Sequence, residues 1–405
     1  MSDFLKVLLV FAVIIILTRK KVNLGAVMVT AAVVLGLLFK LGPREMLAVA
    51  RSSITAPSTL NLAVALALIM FLERIMRQQL IMQRLVNSLK GLVRDTRAVM
   101  AILPALVGLL PSPGGALFSA PMVDEASQGM EITPERKSFI NYWYRHLWEY
   151  SFPLWPAILL AAEIFDLPVR ALIAVQFPFT IAAMVVGMPI AFSGMANRPS
   201  GGSTGNHGNR RQHLLDLAVG IGPVVIVIIL ALAVGLKLSI SVGIVVLALL
   251  LLYRYSPRRL AELVKEAFSP GVILLVIGVI LFKNMLVACG TVEALSSFFT
   301  SLGIPILLIF FALPFIAGLL TGISIAFVGA TFPLFLGLLG SSSLDLRLIA
   351  FAFASGCAGV MLSPLHLCLV LTVQYFEADF DRVYRMLIMP EVVMVLIAAA
   401  LYFLV

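Results

Sequence analysis

Long apolar runs, broken by short polar stretches, organise this sequence. Runs at about 4–18, 22–40, 52–72, 138–164, 169–194, 214–236, 238–254, 268–288, 346–376 and 386–405 reach or approach the ~20 residues that cross a hydrocarbon core as helix. The pattern predicts an all-α integral membrane protein with about 10 transmembrane helices. One polar stretch is longer than the rest, "GMANRPSGGSTGNHGNRRQH" at residues 194–213. Its Gly, Ser, Asn and Pro content marks a flexible connection between two halves, with the linker at 195–213.

Two apolar regions, 98–123 and 304–339, are interrupted by proline and glycine. Ala98 to Leu110 is 13 residues, roughly 20 Å as helix and too short to cross. Residues 98–123 are therefore expected to form a re-entrant helical hairpin, with Pro111-Ser112-Pro113-Gly114-Gly115 at its tip. The arms of 304–339 are about 16 residues each, which leaves either a hairpin or two crossings. Both alternatives return the chain to the side it came from.

Charge orients the spans. With the Arg19-Lys20-Lys21 loop in the cytoplasm, the cytoplasmic segments hold 20 of the 29 basic residues. Eight lie on the opposite side and Arg145 falls within a span. That bias obeys the positive-inside rule, puts both termini outside, and fails if 98–123 crosses fully. The net charge of +9 is scattered between apolar runs, so it argues for membrane topology and against a nucleic-acid partner. At 61% hydrophobic, 12% charged and a mean hydropathy of +1.09, the chain lies outside the soluble range. The apolar run at Phe4–Leu17 precedes its charges, the order of an uncleaved first helix and not of a signal peptide. Cys289, Cys357 and Cys368 have no CxxC spacing and read as small apolar residues.

The halves repeat. Shifted by 210 residues, Gly108-Leu109-Leu110 falls on Gly318-Leu319-Leu320 and the first tip on Thr321-Gly322-Ile323-Ser324. With slightly larger offsets, Pro153 meets Pro364 and Pro43-Arg44 meets Pro257-Arg258. Each half (1–194 and 214–405) reads as three spans, an amphipathic connector, an interrupted hairpin, a proline-broken span and a final span. Five crossings per half is an odd number, so the second half is inverted. The connector at 73–97 carries Ile75, Leu80, Met82, Leu85, Leu89 and Val93 at helical spacing with basic residues between, the pattern of an interfacial arm. A shorter counterpart is expected at about 289–302.

This layout resembles the ion transporter superfamily, whose members include divalent anion/sodium symporters, membrane subunits of tripartite transporters, citrate and gluconate carriers and arsenite exporters. The run "PSPGGALFSAPMVDEAS" (111–127) is most similar to a bacterial and archaeal family of unknown function within it. The resemblance covers essentially the whole chain. It implies a homodimer in a prokaryotic cytoplasmic membrane, a scaffold of the first three spans of each half, and a transport domain that moves like an elevator. The sodium/dicarboxylate branch carries Ser-Asn-Thr at its tips; the tips here carry no asparagine.

Broken helices expose backbone N–H and C=O groups, which suit anions and cations respectively. The substrate-site candidates are Ser112, Gly114, Gly115 and Ser119 from the first hairpin, and Thr321, Gly322 and Ser324 from the second. Thr331 joins them, although Ser119 and Thr331 have their own helix backbones as alternative partners. The broken spans supply Ser151, Pro153, Ser363, Pro364 and His366. The span "NYWYRHLWEYSFPLWP" (141–156) is the most polar, and charges within spans are costly. Asn141 and Arg145 are expected to bind solute, and His146 or Glu149 to carry a proton. Arg145 and Glu149, four apart, are also placed to form a neutralising ion pair on one helix face. Coupling-ion candidates are Ser112, Gly114, Thr321, Ser324, His146 and Glu149, with sodium on backbone carbonyls as the alternative to a proton. Neither a catalytic residue nor a resident metal or cofactor is expected.

The expected function is secondary active transport of a small anionic or polar organic solute, coupled to sodium or protons. Alternatives are an intramembrane enzyme using Ser, His and Glu, a channel, and a carrier of a lipid-linked phosphate. The enzyme reading finds no GxSG, GxGD or HExxH motif, and the absence of a P-loop points to a gradient or a separate partner subunit as the energy source. The polar residues cluster near the breaks and do not form the continuous stripe a channel needs.

Overall fold

The computed structural model describes the chain apart from residues 1–2, 21, 80, 94, 112–114, 196–209, 268–269, 292–302, 340–344 and 405. It is 83% helix, and the described residues contain no strand. The helices are α1 (Asp3–Arg19), α2 (Leu24–Leu38), α3 (Pro43–Thr55), α4 (Pro57–Gln78), α5 (Ile81–Leu92), α6 (Thr96–Gly108) and α7 (Gly115–Ala126). Next come α8 (Pro134–Arg145), a 3-10 turn at Leu147–Glu149, α9 (Pro156–Ile164) and α10 (Val169–Phe192). After the linker, α11 (Arg210–Ile228) runs into a π turn at Ile229–Ala233, followed by α12 (Leu238–Leu252), α13 (Pro257–Ala267) and α14 (Pro270–Ala288). The last five are α15 (Ile306–Thr321), α16 (Ser324–Leu339), α17 (Leu346–Met361), α18 (Leu367–Tyr375) and α19 (Phe380–Leu404).

Local chemistry places these boundaries. Pro43, Pro57, Pro134 and Pro156 each open a helix, where the missing N–H has no intrahelical partner to lose. Asn23, Asp95, Thr133 and Asp345 cap helices by accepting backbone N–H bonds through their side chains. Four helices stop on a left-handed, non-glycine residue: Lys40, Asp166, Arg254 and Glu377. In each case the next N–H reaches five residues back, Leu41 to Gly36, Leu167 to Ala162, Tyr255 to Leu250 and Ala378 to Val373. That closed turn satisfies carbonyls left open at a helix end and offsets a left-handed cost of roughly 1–2 kcal/mol.

Among the described residues, five helices are long and apolar enough to cross a membrane by length and composition: Pro57–Gln78, Val169–Phe192, Arg211–Ala233, Pro270–Ala288 and Phe380–Leu404. Several helices are apolar on every side. In α12, Val242 and Val245 are buried, while Leu247, Leu251 and Leu252 are exposed. In α19, Leu387 and Met394 are buried, while Met389 and Leu396 are exposed. Water would penalise such outward faces, whereas lipid does not.

α2 packs on α14, α4 on α12, α6 on α8, and α15 on α17. A Cβ on Gly318 of α15 would lie 2.5 Å from the Gly356 carbonyl oxygen of α17, so the two backbones touch only because that position is glycine. The sequence-based boundaries shift in two places. The run at 52–72 holds a helix junction, because Ala56 before Pro57 takes an extended ψ of 130° and ends α3. Residues 73–78 belong to α4, with Glu73 paired to Arg77 at 2.5 Å. The expected arm is therefore reduced to α5, whose Ile81, Leu85 and Leu89 are buried and which packs on α11. Most of the expected second arm, residues 292–302, lies outside the described residues.

Candidate functional site

The site is built where two helices stop. α8 ends at Arg145, and His146 takes the cap position at φ −98°, ψ 5°. The chain then runs through the 3-10 turn and past Pro153 until Pro156 restarts it as α9. α17 ends at Met361, and Ser363-Pro364 carries the chain to His366, the N-cap of α18. Pro364, three residues past Met361, supplies no N–H to continue α17, whereas α8 stops eight residues before Pro153. The carbonyls left open are met by side chains: Tyr142 Oη donates to Met361 at 3.0 Å and Tyr384 Oη to Leu362 at 2.8 Å.

The two breaks meet. His146 Nε2 lies 3.2 Å from His366 Nε2, with ring centroids 4.9 Å apart and planes at 81°. His146 Nδ1 is 2.6 Å from the Tyr142 carbonyl. Arg145, only 1% exposed, places a guanidinium nitrogen 3.4 Å from His146 Nε2. Glu149 Oε1 accepts from Ser324 Oγ at 2.8 Å, and its Oε2 has no hydrogen-bond partner among the described residues. Ser324 is the first residue of α16, so this bond ties the second interrupted region to the break in the first half.

A second cluster lies beside the first. Ser119 of α7 donates to Asn141 Oδ1 at 2.6 Å. Asn141 Nδ2 donates to the Ala116 carbonyl at 2.9 Å and to Thr372 Oγ1 of α18 at 3.0 Å. One amide thus joins α7, α8 and α18 in a fully buried place. All of its bonds carry weight there, since an unmet polar group away from water is costly.

Other expected site residues do different work. Ser151 shares a 2.7 Å bond with Thr180 of α10, and Thr180 also donates to the Leu147 carbonyl at 3.1 Å, so Ser151 anchors the turn. Ser363 Oγ donates to the Leu319 carbonyl at 2.7 Å and closes the end of α15. Thr321 and Thr331 bond within their own helices, to Ala317 at 2.7 Å and to Phe327 at 2.8 Å. Gly322 is left-handed, with φ of 66°, and caps α15 next to His366. Gly115 begins α7 and is buried. Ser112 and Gly114 lie outside the described residues. Arg145 and Glu149 do not share a helix face, because α8 stops at Arg145 and Glu149 sits in the 3-10 turn beyond it.

Sequence reading missed Cys368, Thr372, Gln176 and Glu391. Glu391 in α19 and Gln176 in α10 are buried, and neither side chain has a hydrogen-bond partner among the described residues. A carboxylate and an amide inside long apolar runs were visible signals. Cys368 follows His366 by two residues and carried no spacing signal of its own. Thr372 is an ordinary residue of an apolar helix until folding sets it against Asn141.

Five helices fit to span a membrane, an all-α fold and a buried polar cluster at two helix breaks define a helical membrane protein. Residues 2–405 match the family described as "Protein of unknown function (DUF401)", and the chain belongs to that family. No curated protein matches it.

Proposed function

We propose that the protein is a secondary active transporter of the ion transporter superfamily type. It moves a small anionic or polar organic solute across the prokaryotic cytoplasmic membrane, coupled to sodium or protons. The observation that carries this reading is the meeting of two broken helices in one buried polar cluster. His146 faces His366, and Glu149 bonds Ser324. In a hydrocarbon environment, interrupted backbone persists where protein covers it or where it lines a water-filled cavity, and buried charge within spans marks substrate and ion paths.

An inverted repeat with 10 crossings is supported by matching local detail. The left-handed residues pair at the same offsets as their helices, Lys40 with Arg254 and Asp166 with Glu377. α3 and α13 both open on proline, Pro43 and Pro257. Gly108 packs against the Arg145 carbonyl, as Gly318 packs against that of Gly356. Packing across the halves is reciprocal: α7 touches α18 and α16 touches α9, while α10 touches α17 and α19 touches α8. The two interrupted regions, α6–α7 and α15–α16, are read as re-entrant hairpins. With the broken helices they form the moving domain, and the first three spans of each half form the scaffold of a homodimer with both termini outside.

Arg145 is the group that selects an anion, with Asn141, Ser119 and Ser324 as polar contacts. Uptake into proteoliposomes, with a solute panel under imposed sodium or proton gradients, tests the reading. Gradient-driven accumulation of an anionic or polar solute is expected. Failure of every gradient to drive any solute overturns it.

A further inference from the structure

We propose that His146, His366 and Cys368 form a binding site for a transition-metal ion of the Zn2+ class. Their ligand atoms lie within 4.8 Å of one another and all three residues are buried, the one such group among the described residues. The inference does not depend on the transport reading, since it concerns binding alone.

The geometry fits shared coordination. Two nitrogens on one tetrahedral ion at 2.0–2.1 Å stand about 3.3–3.4 Å apart, and the two Nε2 atoms are 3.2 Å apart. The tautomer fits as well. The Tyr142 carbonyl is an acceptor only, so at 2.6 Å it takes the proton of His146 Nδ1. That leaves the His146 Nε2 lone pair for a ligand, with the ring oriented by a backbone carbonyl, as is usual for metal-bound histidine. Cys368 stands in the first turn of α18, two residues after the N-cap His366, so two donors sit on one rigid helix start. His146 caps α8 in the other half. A bound ion would therefore clip the two halves together at their breaks.

Without a metal, a proton between the two imidazoles and a hydrogen bond between the Cys368 thiol and His146 tie the cluster in pairs; a metal ion engages all three donors at once. A borderline ion such as Zn2+ accepts two imidazoles and a thiolate, and three protein ligands leave a fourth position open. Binding displaces the Cys368 thiol proton, which leaves to solvent as the thiolate–metal bond forms. The contact between Arg145 and His146, at 3.4 Å, is at the weak end of hydrogen bonding and is the one an ion replaces. The Cys368 thiolate and the Glu149 carboxylate offset the positive charge that Arg145 and the ion bring together.

The test uses purified full-length protein in detergent with Co2+ alone as the probe. Cys289 is replaced by serine in the parent, because its thiol is partly exposed. One Co2+ per chain is expected, with tetrahedral visible bands and a near-ultraviolet thiolate-to-cobalt band. Cys368→Ser should abolish the thiolate band, and His366→Ala should weaken binding at least about tenfold. X-ray absorption of the Co2+ complex of the parent should count one sulfur ligand, which needs no further variant to fold. An octahedral, oxygen-only spectrum at saturating Co2+, zero sulfur ligands, or a thiolate band that survives Cys368→Ser overturns the proposal.

Discussion

The hydroxyl of Ser324 donates to Oε1 of Glu149 at 2.8 Å, across 175 positions of sequence. The bond fastens the first turn of α16 to the 3-10 turn that follows α8. Ser324→Ala leaves Oε1 buried without this donor and should lower stability by roughly 1–3 kcal/mol. Glu149→Gln keeps an acceptor oxygen for Ser324 and should be milder. Thermal unfolding in detergent measures both, and an unchanged midpoint for Ser324→Ala would show that the bond contributes nothing.

Arg145 bears on transport. Arg145→Ala should abolish anion uptake into proteoliposomes while the protein still elutes as a monodisperse peak. Arg145→Lys retains the charge but loses the planar two-pronged donor. It should cut uptake by about tenfold, the equivalent of about 1.4 kcal/mol. Wild-type uptake by a folded Arg145→Ala would remove this residue from the site.

Asn141 holds three helices through one amide. Asn141→Leu has a similar volume but removes the amide's bonds to Thr372 and the Ala116 carbonyl, while Ser119 keeps the Gly115 and Ala116 carbonyls of its own helix. A loss of roughly 1–3 kcal/mol is expected, because the buried Thr372 hydroxyl loses its partner and the tie between three helices goes with it. The drop should shrink when Thr372→Val is added, since one stranded hydroxyl is then gone. A strictly additive double variant would argue against a coupled network.

Two caps outside the spans should make stability sensitive to acid. Hydrogen bonds from Arg97 hold the Asp95 carboxyl below its usual range. Burial raises that of Asp345, but the Arg347 bonds and charge outweigh it, and the net direction is also down. A carboxyl depressed in the folded state stabilises fully above its unfolded value, near about 4, and loses that contribution as pH falls through the folded value. Asp345→Ala should cost roughly 0.5–2 kcal/mol near neutrality. The gap from wild type should close as pH drops below about 4, followed by unfolding midpoints across a pH series. A gap independent of pH would mean that the cap works without its charge.

Much of the fold was legible because lipid-spanning helices announce themselves locally. Apolar runs, opening prolines such as Pro134 and Pro156, and capping residues such as Asp95 and Asp345 act within a few positions of where they stand. Pro364 likewise marked the end of α17, while Pro153 marked the broken stretch between α8 and α9 and not the residue at which α8 stops. Partnership was not legible, because it depends on contacts between residues far apart in sequence. Four-residue spacing suggested that Arg145 and Glu149 share a helix face, but that inference assumed a helix which ends at Arg145. Thr321 and Ser363 looked like ligand groups, yet Thr321 bonds back to Ala317 within its own helix and Ser363 bonds the Leu319 carbonyl at the end of α15. Cys368 looked like filler until tertiary packing set its thiol beside two imidazoles, one of them 222 positions away in the chain. The sequence by itself determined where helices begin, break and end, because those choices depend on neighbouring backbone groups. Only the tertiary structure decided which breaks face each other, because burying polar groups requires partners from both halves to satisfy one another.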